Sequence, residues 1–166
     1  MSLSSPAPLD RTHDTASFDC GVDPLNDYLR KYALVNQQNR SARTYVALRE
    51  NRIAGYYSLA SGSVSRDEVP ARVAQRMGKY PVPITLLARL AVDLSEKGKG
   101  LGRGLLKDAV LRAIQASDLV GSRAIVTHAK DEAAKAFYLK FSFVPSPLND
   151  LHPYLLMKDI KAMFGV

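Results

Sequence analysis

Cysteine is almost absent from this chain of 166 residues, and long apolar runs are absent altogether. The single Cys20 excludes an internal disulfide framework and is typical of a reducing compartment. No stretch approaches the roughly 20 apolar residues that a membrane-spanning helix needs. The N-terminal stretch MSLSSPAPLDRTHD has polar and acidic residues where a signal peptide has its apolar core. We therefore expect a cytoplasmic protein.

Histidine is also sparse. His13, His128 and His152 are scattered along the chain, and none has a cysteine or an acidic residue at metal-ligand spacing. We therefore expect no metal site.

Acidic residues are outnumbered by basic ones, which gives a formal net charge of +7 and a pI near 9.6. The excess is uneven: between Arg30 and Arg52 there are six basic residues and one acid. Such a balance favours anionic partners, namely a nucleotide cofactor, a nucleic acid or an acidic protein segment.

The length predicts one domain that spans residues 1–166 and buries its own core. Asp23-Pro24 resembles a helix N-cap followed by proline at the first helical position. Apolar periodicity predicts helices over 23–38 and 102–116 and another helix after Asp131, strands over 44–50, 53–64, 84–93, 123–129 and 153–160, and a partly helical segment over 65–78. The order of elements in the second half predicts a mixed α/β sheet with a central βαβ unit and flanking helices.

The stretch EKGKGLGRGLL (96–106) places four glycines at every second position, between a buried strand and an amphipathic helix. A loop before a helix N-terminus collects unpaired N–H groups and the positive end of the helix dipole. Glycine lets a phosphate approach these amides without obstruction by a Cβ atom. The sequence therefore predicts a phosphate-binding loop.

The spacing excludes two common phosphate loops. No serine or threonine follows a Gly-Lys pair, as a nucleotide-hydrolase loop requires. Counting from Gly98 or Gly100, the last glycine of a dinucleotide fingerprint would fall on Arg103 or Leu105.

The loop resembles motif A of the GCN5-related N-acetyltransferases, whose pattern is Gln/Arg-x-x-Gly-x-Gly/Ala. Lys97 through Gly102 match that pattern, with lysine at the first position, and the strand LARLAVD precedes them. Lysine keeps the positive charge of arginine but lacks its planar fork. The resemblance implies that the loop amides hold the pyrophosphate of acetyl-coenzyme A and that the strand pairs with the pantetheine arm.

The family's motif B also has counterparts. Ala134, Phe137, Tyr138 and Phe143 stand at the family's offsets, while Asp131 replaces an asparagine and Ser142 replaces a glycine. The resemblance makes Tyr138 the catalytic acid that returns a proton to the departing thiolate. It also implies the coenzyme-binding residues, which are Leu90, Ala91, Val92, Lys97, Gly98, Lys99, Gly100, Leu101, Gly102, Arg103, Gly104, Ala134 and Phe137.

Nearly the whole chain further resembles the TacT/AtaT-type acetyltransferase toxins of bacterial type II toxin–antitoxin systems, in particular through FDCGVDPLNDYL, RLAVD, GKGLGRGLL and AFYLKFSFVPSP. The resemblance implies acetylation of the α-amino group of aminoacyl-tRNA and hence a block of translation. It also implies a homodimer and a ribbon-helix-helix antitoxin through which operator DNA is contacted.

Several basic residues are candidates for contact with tRNA phosphates: Arg40, Arg43, Arg72, Arg76, Lys79 and Arg89. Arg89 interrupts an apolar strand, where an internal ion pair and a substrate contact are equally good explanations.

Two other functions stay open at this stage. An acetyltransferase for a small amine or a protein amine would keep the coenzyme site but would be expected to have an acidic acceptor cleft. A catalytically silent binding module would be expected to have lost motif A or its tyrosine.

Overall fold

The computed structural model describes residues 2–78 and 80–164. Within them, seven strands form one mixed sheet in the order β1-β2-β3-β4-β5-β7-β6. The strands are β1 (Ala7–Pro8), β2 (Arg43–Arg49), β3 (Arg52–Val64), β4 (Val82–Val92), β5 (Ala124–Thr127), β6 (Val144–Pro145) and β7 (Pro153–Leu156). The helices are α1 (Asp23–Asp27), α2 (Ala33–Asn39), α3 (Ala71–Ala74), α4 (Leu101–Leu119), α5 (Glu132–Leu139) and α6 (Met157–Phe164). The predicted mixed α/β class, with helices flanking a mixed sheet, is confirmed.

The chain divides into two compact units, one formed by residues up to Ala60 together with Ala88–Ala109, the other by Ser61–Leu87 together with residues from Val110 onward. β3, β4 and α4 each contribute residues to both units. The single domain expected from the length stays a prediction.

The first unit is built on the predicted hairpin. β2 and β3 pair antiparallel, with a register shift between Ala47 and Leu48, and β1 adds to the outer edge of β2. Their apolar face packs on the helical segment that begins at Asp23, and the shared core includes Phe18, Leu29 and Tyr56.

The helix predicted over 23–38 has an unexpected middle. A π-helical turn over Tyr28–Tyr32 separates α1 from α2. The predicted N-cap is wrong, because Val22 holds that position and Asp23 lies in the first turn. Asp23 still stabilises the start of the helix, since an acidic side chain in the first turn faces the positive end of the dipole.

The second unit contains the predicted parallel pair. β4 and β5 pair in parallel and are connected by α4, and β7 then pairs antiparallel with β5. Its core includes Val73, Val82, Val126 and Tyr154.

The strand predicted over 153–160 is wrong beyond Leu156, where α6 begins. Met157 and Ile160 are buried three residues apart, which is helical rather than strand spacing. Asp159 lies in the first turn of α6, where an acidic side chain favours a helix. None of the helices among the described residues is long and apolar enough to span a membrane.

Candidate active site

The glycine loop connects β4 to α4 in the first unit. After a single 3₁₀ turn over Leu94–Glu96, the chain passes through Gly98 and Gly100, which have φ values of 78° and 83°. An L side chain is strained in this left-handed region. A Cβ atom at either position would meet no atom within 4 Å. Backbone conformation therefore requires these glycines, and the space that their side chains would fill is open.

The N-terminus of α4 provides the unpaired amides that the sequence predicts. The amide of Gly104 donates to the carbonyl of Gly100 over 3.2 Å, which closes the first turn. The N–H groups of Leu101 and Gly102 precede that bond and have no carbonyl four residues back within the helix, as in any first turn. The helix continues for 19 residues, so its dipole places the equivalent of about half a positive charge at this end. Amides and dipole together favour an anion here.

Gly55 of β3 lets α4 lie close to the strand. A Cβ atom on Gly55 would stand 2.9 Å from Leu105 Cδ1, 3.0 Å from the Ala91 carbonyl oxygen and 3.1 Å from Leu101 Cδ2. Leu101 and Leu105 are both buried. The missing side chain of Gly55 thus fixes how closely the first turn of α4 approaches the sheet.

Charged side chains flank the loop. Lys97, Lys99 and Arg103 are all exposed, so they can contribute positive charge to a bound anion. The position where the family usually has glutamine or arginine is therefore filled here by an exposed ammonium group, on Lys97.

A buried carboxylate lies immediately before the loop. Glu96 is 3% exposed, accepts a hydrogen bond from Arg49 Nε over 2.8 Å and lies 3.9 Å from Lys99 Nζ. The hydrogen bond from Arg49 holds the pKa of Glu96 below its usual value, against the opposing effect of burial. Its Oε1 atom is buried without a hydrogen-bond partner among the described residues. Glu96 thus ties the start of the loop to Arg49 in β2.

Asp93 directly follows β4 and caps the 3₁₀ turn that leads into the glycine loop. Its carboxylate accepts hydrogen bonds from the amides of Asp19 and Ser95 and from the Ser95 hydroxyl. Burial acts to raise the pKa of Asp93, but the hydrogen bonds from Ser95 and from the Asp19 amide outweigh it and the pKa is lowered. The loop is anchored by two ionised acids that sequence spacing did not single out.

This arrangement fits the pyrophosphate of a coenzyme, because open glycines, unpaired amides and exposed cations coincide on one loop. The residues that would hold it are Lys97 to Gly104. Leu90, Ala91 and Val92 are the last three residues of β4, where a partner could pair with the strand backbone. When bound, acetyl-CoA supplies an activated acetyl thioester.

Tyr138 lies on α5 in the second unit and is 7% exposed. It contacts the rings of Phe137 and Phe143 at centroid distances of 5.2 and 5.4 Å. Burial raises the pKa of Tyr138, and a hydrogen bond with Thr127 opposes that rise in part. The phenol therefore keeps its proton at neutral pH, as a general acid must.

Thr127 extends this contact into a chain of hydroxyl groups. Its side chain is buried and donates a hydrogen bond of 2.9 Å to the carbonyl oxygen of Leu87. Thr127 therefore connects the Tyr138 hydroxyl to the backbone of β4. No sequence pattern indicates a role for Thr127, since threonine is common in β-strands.

The helix that carries Tyr138 is capped as expected. Asp131 accepts a hydrogen bond of 2.8 Å from the amide of Ala134, which satisfies one of the first-turn amides. Ala134 and Phe137 are half-buried on the same helix. Ser142, which replaces the family's glycine, adopts a left-handed φ of 72°, so the chain keeps the glycine conformation without the glycine.

The candidate tRNA contacts occupy different settings. Arg40 ends α2 in a left-handed conformation with φ 66°, and the Arg43 guanidinium donates to the Gln37 carbonyl. The Arg89 guanidinium lies 3.6 Å from the ring centroid of Tyr28 in a cation–π arrangement, and its contact with substrate stays a prediction. Lys79 lies outside the described residues.

Among the candidates that the structure describes, Arg72 and Arg76 are brought together, since both line one pocket of the second unit. Arg72 also forms a bidentate ion pair with Asp159, at 2.9 and 3.0 Å.

Two histidines that are distant in sequence also meet in the second unit. The rings of His128 and His152 stack with centroids 3.8 Å apart. Burial, followed by the positive charge of His152, lowers the pKa of His128. No group of three or more His, Cys, Asp or Glu side chains in the described part of the chain could hold a metal ion.

An anion-binding loop at the N-terminus of α4 and a buried, protonated tyrosine on α5 are each expected of acyltransferases that use a nucleotide-bearing thioester. The family of GNAT acetyltransferase domains matches residues 40–145. The chain belongs to the GNAT acetyltransferase family.

Individual relatives agree over almost the full chain. A tRNA-acetylating toxin of Mycobacterium tuberculosis (strain ATCC 25618 / H37Rv) is 48% identical over 162 residues, which are 98% of this chain and 97% of the relative. AtaT complexed with acetyl-methionyl-tRNAfMet is 29% identical with a TM-score of 0.89, and the match covers 98% of this chain and 99% of AtaT.

Two further solved structures contain other partners. A mutant AtaT toxin bound to the C-terminus of the antitoxin AtaR and to acetyl-CoA is 27% identical, with a TM-score of 0.84 over 100% of both chains. The KacTA–DNA complex matches at 28% identity, with a TM-score of 0.81 over 99% of each chain. The expected GNAT fold and acetyltransferase class are therefore confirmed, and the expected coenzyme agrees with a bound structure of a relative.

Proposed function

We propose that this protein is the toxin of a type II toxin–antitoxin pair, which transfers the acetyl group of acetyl-CoA to the α-amino group of aminoacyl-tRNA and so blocks translation. The main support is the 48% identity to a tRNA-acetylating toxin over 98% of the chain. The AtaT complex with acetyl-methionyl-tRNAfMet adds to it, since that fold matches with a TM-score of 0.89.

The coenzyme-binding half of the site is the glycine loop. The amides of residues 101–102 and the side chains of Lys97, Lys99 and Arg103 would hold the pyrophosphate. A backbone N–H of the 90–92 segment would polarise the acetyl carbonyl, as oxyanion-type donors do.

The acceptor amine needs little help from the protein. An α-amino group has a pKa near 8 and is partly neutral at pH 7, unlike a lysine side chain with a pKa near 10.4. A strong general base is therefore unnecessary, and the proton that must be supplied goes to the departing thiolate. The Tyr138 hydroxyl holds that proton, because burial raises the pKa of Tyr138.

The proposed partners follow from the relatives. We expect an antitoxin that binds as AtaR binds AtaT, of the ribbon-helix-helix type, and contact with operator DNA through the toxin–antitoxin complex, as in KacTA–DNA. We also expect a homodimer that acts in the cytoplasm, where charged tRNA is found.

The direct test is acetyl transfer from labelled acetyl-CoA to charged and to uncharged tRNA. We expect label on the charged pool alone, and a loss of about 10²- to 10⁴-fold in kcat for Tyr138→Phe, since the variant lacks the acid. Tyr80→Phe is the matched control, because Tyr80 is 79% exposed in the same unit. Label on free amines but not on charged tRNA would contradict the proposal.

A further inference from the structure

A pocket of about 390 Å³ opens in the second unit, at the start of β5 and α6. This volume lies in the range of small-ligand sites, roughly 300–1,000 Å³. The lining residues come from three segments of the chain and are Arg72, Gln75, Arg76, Ser122, Arg123, Leu156, Met157 and Lys158.

The pocket is strongly cationic. Four of its eight lining residues are basic, namely Arg72, Arg76, Arg123 and Lys158, and none is acidic. Positive charges that converge in a concave site focus the field and favour an anionic ligand.

Two of the guanidinium groups are held in place. Arg123 donates to the carbonyl oxygens of Val73 and Gln75 over 3.0 and 2.8 Å. Arg72 is fixed by its bidentate pair with Asp159. Pre-ordered donors lose less entropy when they bind a ligand.

Arg76 is the side chain left available in this group. Within the described residues it makes no side-chain hydrogen bond or ion pair, although it lines the pocket. Its φ is 66°, a conformation that glycine or asparagine adopts at lower cost. Arg76 lies two residues beyond the end of α3, where a left-handed residue commonly terminates a helix.

The first turn of α6 adds to the positive potential. Met157 and Lys158 open this helix of eight residues and line the pocket. The positive end of the helix dipole therefore lies where the basic side chains meet.

The pocket lies away from the catalytic tyrosine. Arg123 precedes β5, and Leu156 pairs with Ala124, the first residue of β5. Thr127, the hydrogen-bond partner of Tyr138, is the last residue of that strand. The intervening length of extended chain is roughly 10 Å, so the two sites lie at opposite ends of β5.

We propose that this pocket binds a sugar–phosphate segment of the tRNA body, at a distance from the aminoacylated end that reaches Tyr138. The inference rests on the proposed function, whose substrate is a polyanion much longer than the acetylation site. Guanidinium forks match phosphate oxygens, while Gln75 and Ser122 provide neutral polar groups for ribose hydroxyls. An acidic antitoxin segment is the competing ligand. It is less favoured because three cations, Arg76, Arg123 and Lys158, remain beyond the Arg72–Asp159 pair, more than one or two carboxylates can neutralise.

The test compares the double variant Arg76→Ala/Lys158→Ala with the wild-type protein and with Arg11→Ala, which removes one exposed charge from the first unit. Binding of uncharged tRNA is measured by fluorescence anisotropy at several salt concentrations. The logarithm of the binding constant falls linearly with the logarithm of the salt concentration, and each lost phosphate contact reduces the steepness of that slope by about 1. We expect the slope of the double variant to be less steep by about 2 and its tRNA affinity to be at least tenfold lower. We expect Arg11→Ala to change neither. Equal thermal unfolding temperatures establish that both variants are folded.

The kinetic readout should separate binding from chemistry. We expect KM for charged tRNA to rise about tenfold in the double variant while kcat and KM for acetyl-CoA stay unchanged. Unchanged tRNA affinity and slope would overturn the inference. A loss confined to antitoxin binding would also overturn it and would assign the pocket to that partner. A wild-type protein that binds tRNA through the pocket but transfers no acetyl group would refute the proposed function and leave the pocket's ligand established.

Discussion

Thr127 is the polar neighbour of the proposed catalytic acid. Its hydroxyl donates to the Leu87 carbonyl, and its contact with Tyr138 acts to lower the pKa of that phenol, against the larger effect of burial. Thr127 thus tempers the rise in the pKa of Tyr138. Thr127 is then a positioning residue, since it acts on the reaction only through Tyr138.

Replacing Thr127 with valine should slow acetyl transfer with little effect on binding. Valine keeps the shape of the buried side chain and removes its hydroxyl, so Tyr138 loses its polar contact with Thr127, worth about 1 kcal/mol. We expect kcat to fall about fivefold, with KM for acetyl-CoA and for tRNA unchanged. Thr127→Ser restores the hydroxyl and should recover most of kcat. Equal losses in the two variants would show that Thr127 serves packing alone.

At the scale of single residues, motif spacing indicated Tyr138 but none of the groups that support it. Thr127 and Glu96 carry no spacing signal, because their roles depend on contacts with Leu87 and Arg49, 40 and 47 residues away in sequence. Arg89 shows the same limit. Its sequence context leaves an ion pair and a substrate contact as alternatives, and does not indicate that its guanidinium lies over the Tyr28 ring.

Among the elements, the first turn of α4 has opposite requirements for side-chain size. Helix stability favours a side chain at Gly104, whereas coenzyme binding favours its absence. A Cβ atom on Gly104 would meet nothing within 4 Å, so Gly104→Ala should stabilise the helix by about 0.5–1 kcal/mol. The same methyl group narrows the approach to the loop amides. We therefore expect a higher unfolding temperature together with a higher KM for acetyl-CoA. An unchanged KM would place the pyrophosphate away from this turn.

Gly55→Ala provides the contrasting case on β3. Its Cβ atom would come within 3.0 Å or less of Leu105 Cδ1 and of the Ala91 carbonyl, and backbone cannot yield as a flexible side chain does. Overpacking of this kind costs about 1–3 kcal/mol. We expect a lower free energy of unfolding in a denaturant titration. An unchanged free energy of unfolding would mean that α4 can move away from the strand.

Elements with a long periodic pattern were predictable and short ones were not. α4 and the β2–β3 hairpin lie within a few residues of their predicted bounds, because each shows several turns or alternations of apolar residues. β1 and β6 have two residues each, which is too short for any period. The strand predicted over 153–160 is wrong in its second half because PYLLMKDI begins as a buried strand and changes to helical spacing only at Met157.

For the whole molecule, the net charge of +7 is concentrated rather than spread evenly. Composition alone predicted an anionic partner, but it could not show that basic residues from three segments converge at the start of β5 and α6. That convergence depends on β7 and β5 pairing antiparallel, which brings Lys158 and Arg123 to the same end of the sheet.

The stability of the whole molecule should fall on mild acidification. Burial lowers the pKa of His128 below its unfolded value of 6.5, so the unfolded chain takes up a proton more readily than the folded one. The stabilisation is complete above pH 6.5 and is lost as the pH falls toward the folded pKa. The stacked ring of His152, 3.8 Å away, adds repulsion when both rings are charged. The pKa values of Asp93, Glu96 and Asp159 are lowered from 3.8, 4.5 and 3.8. Protonation of these carboxylates therefore reduces the free energy of unfolding only at lower pH.

His128→Phe should therefore flatten the dependence of stability on pH. Phenylalanine keeps an aromatic ring against His152 and cannot take up a proton. We expect the unfolding temperature of the wild-type protein to fall between pH 7 and pH 5.5 and that of the variant to fall less, as measured by differential scanning calorimetry. His13→Gln is the control, since it removes a histidine from the first unit and leaves the stacked pair intact. If the unfolding temperature of the variant fell with pH as steeply as that of the wild-type protein, another group would control stability in this range.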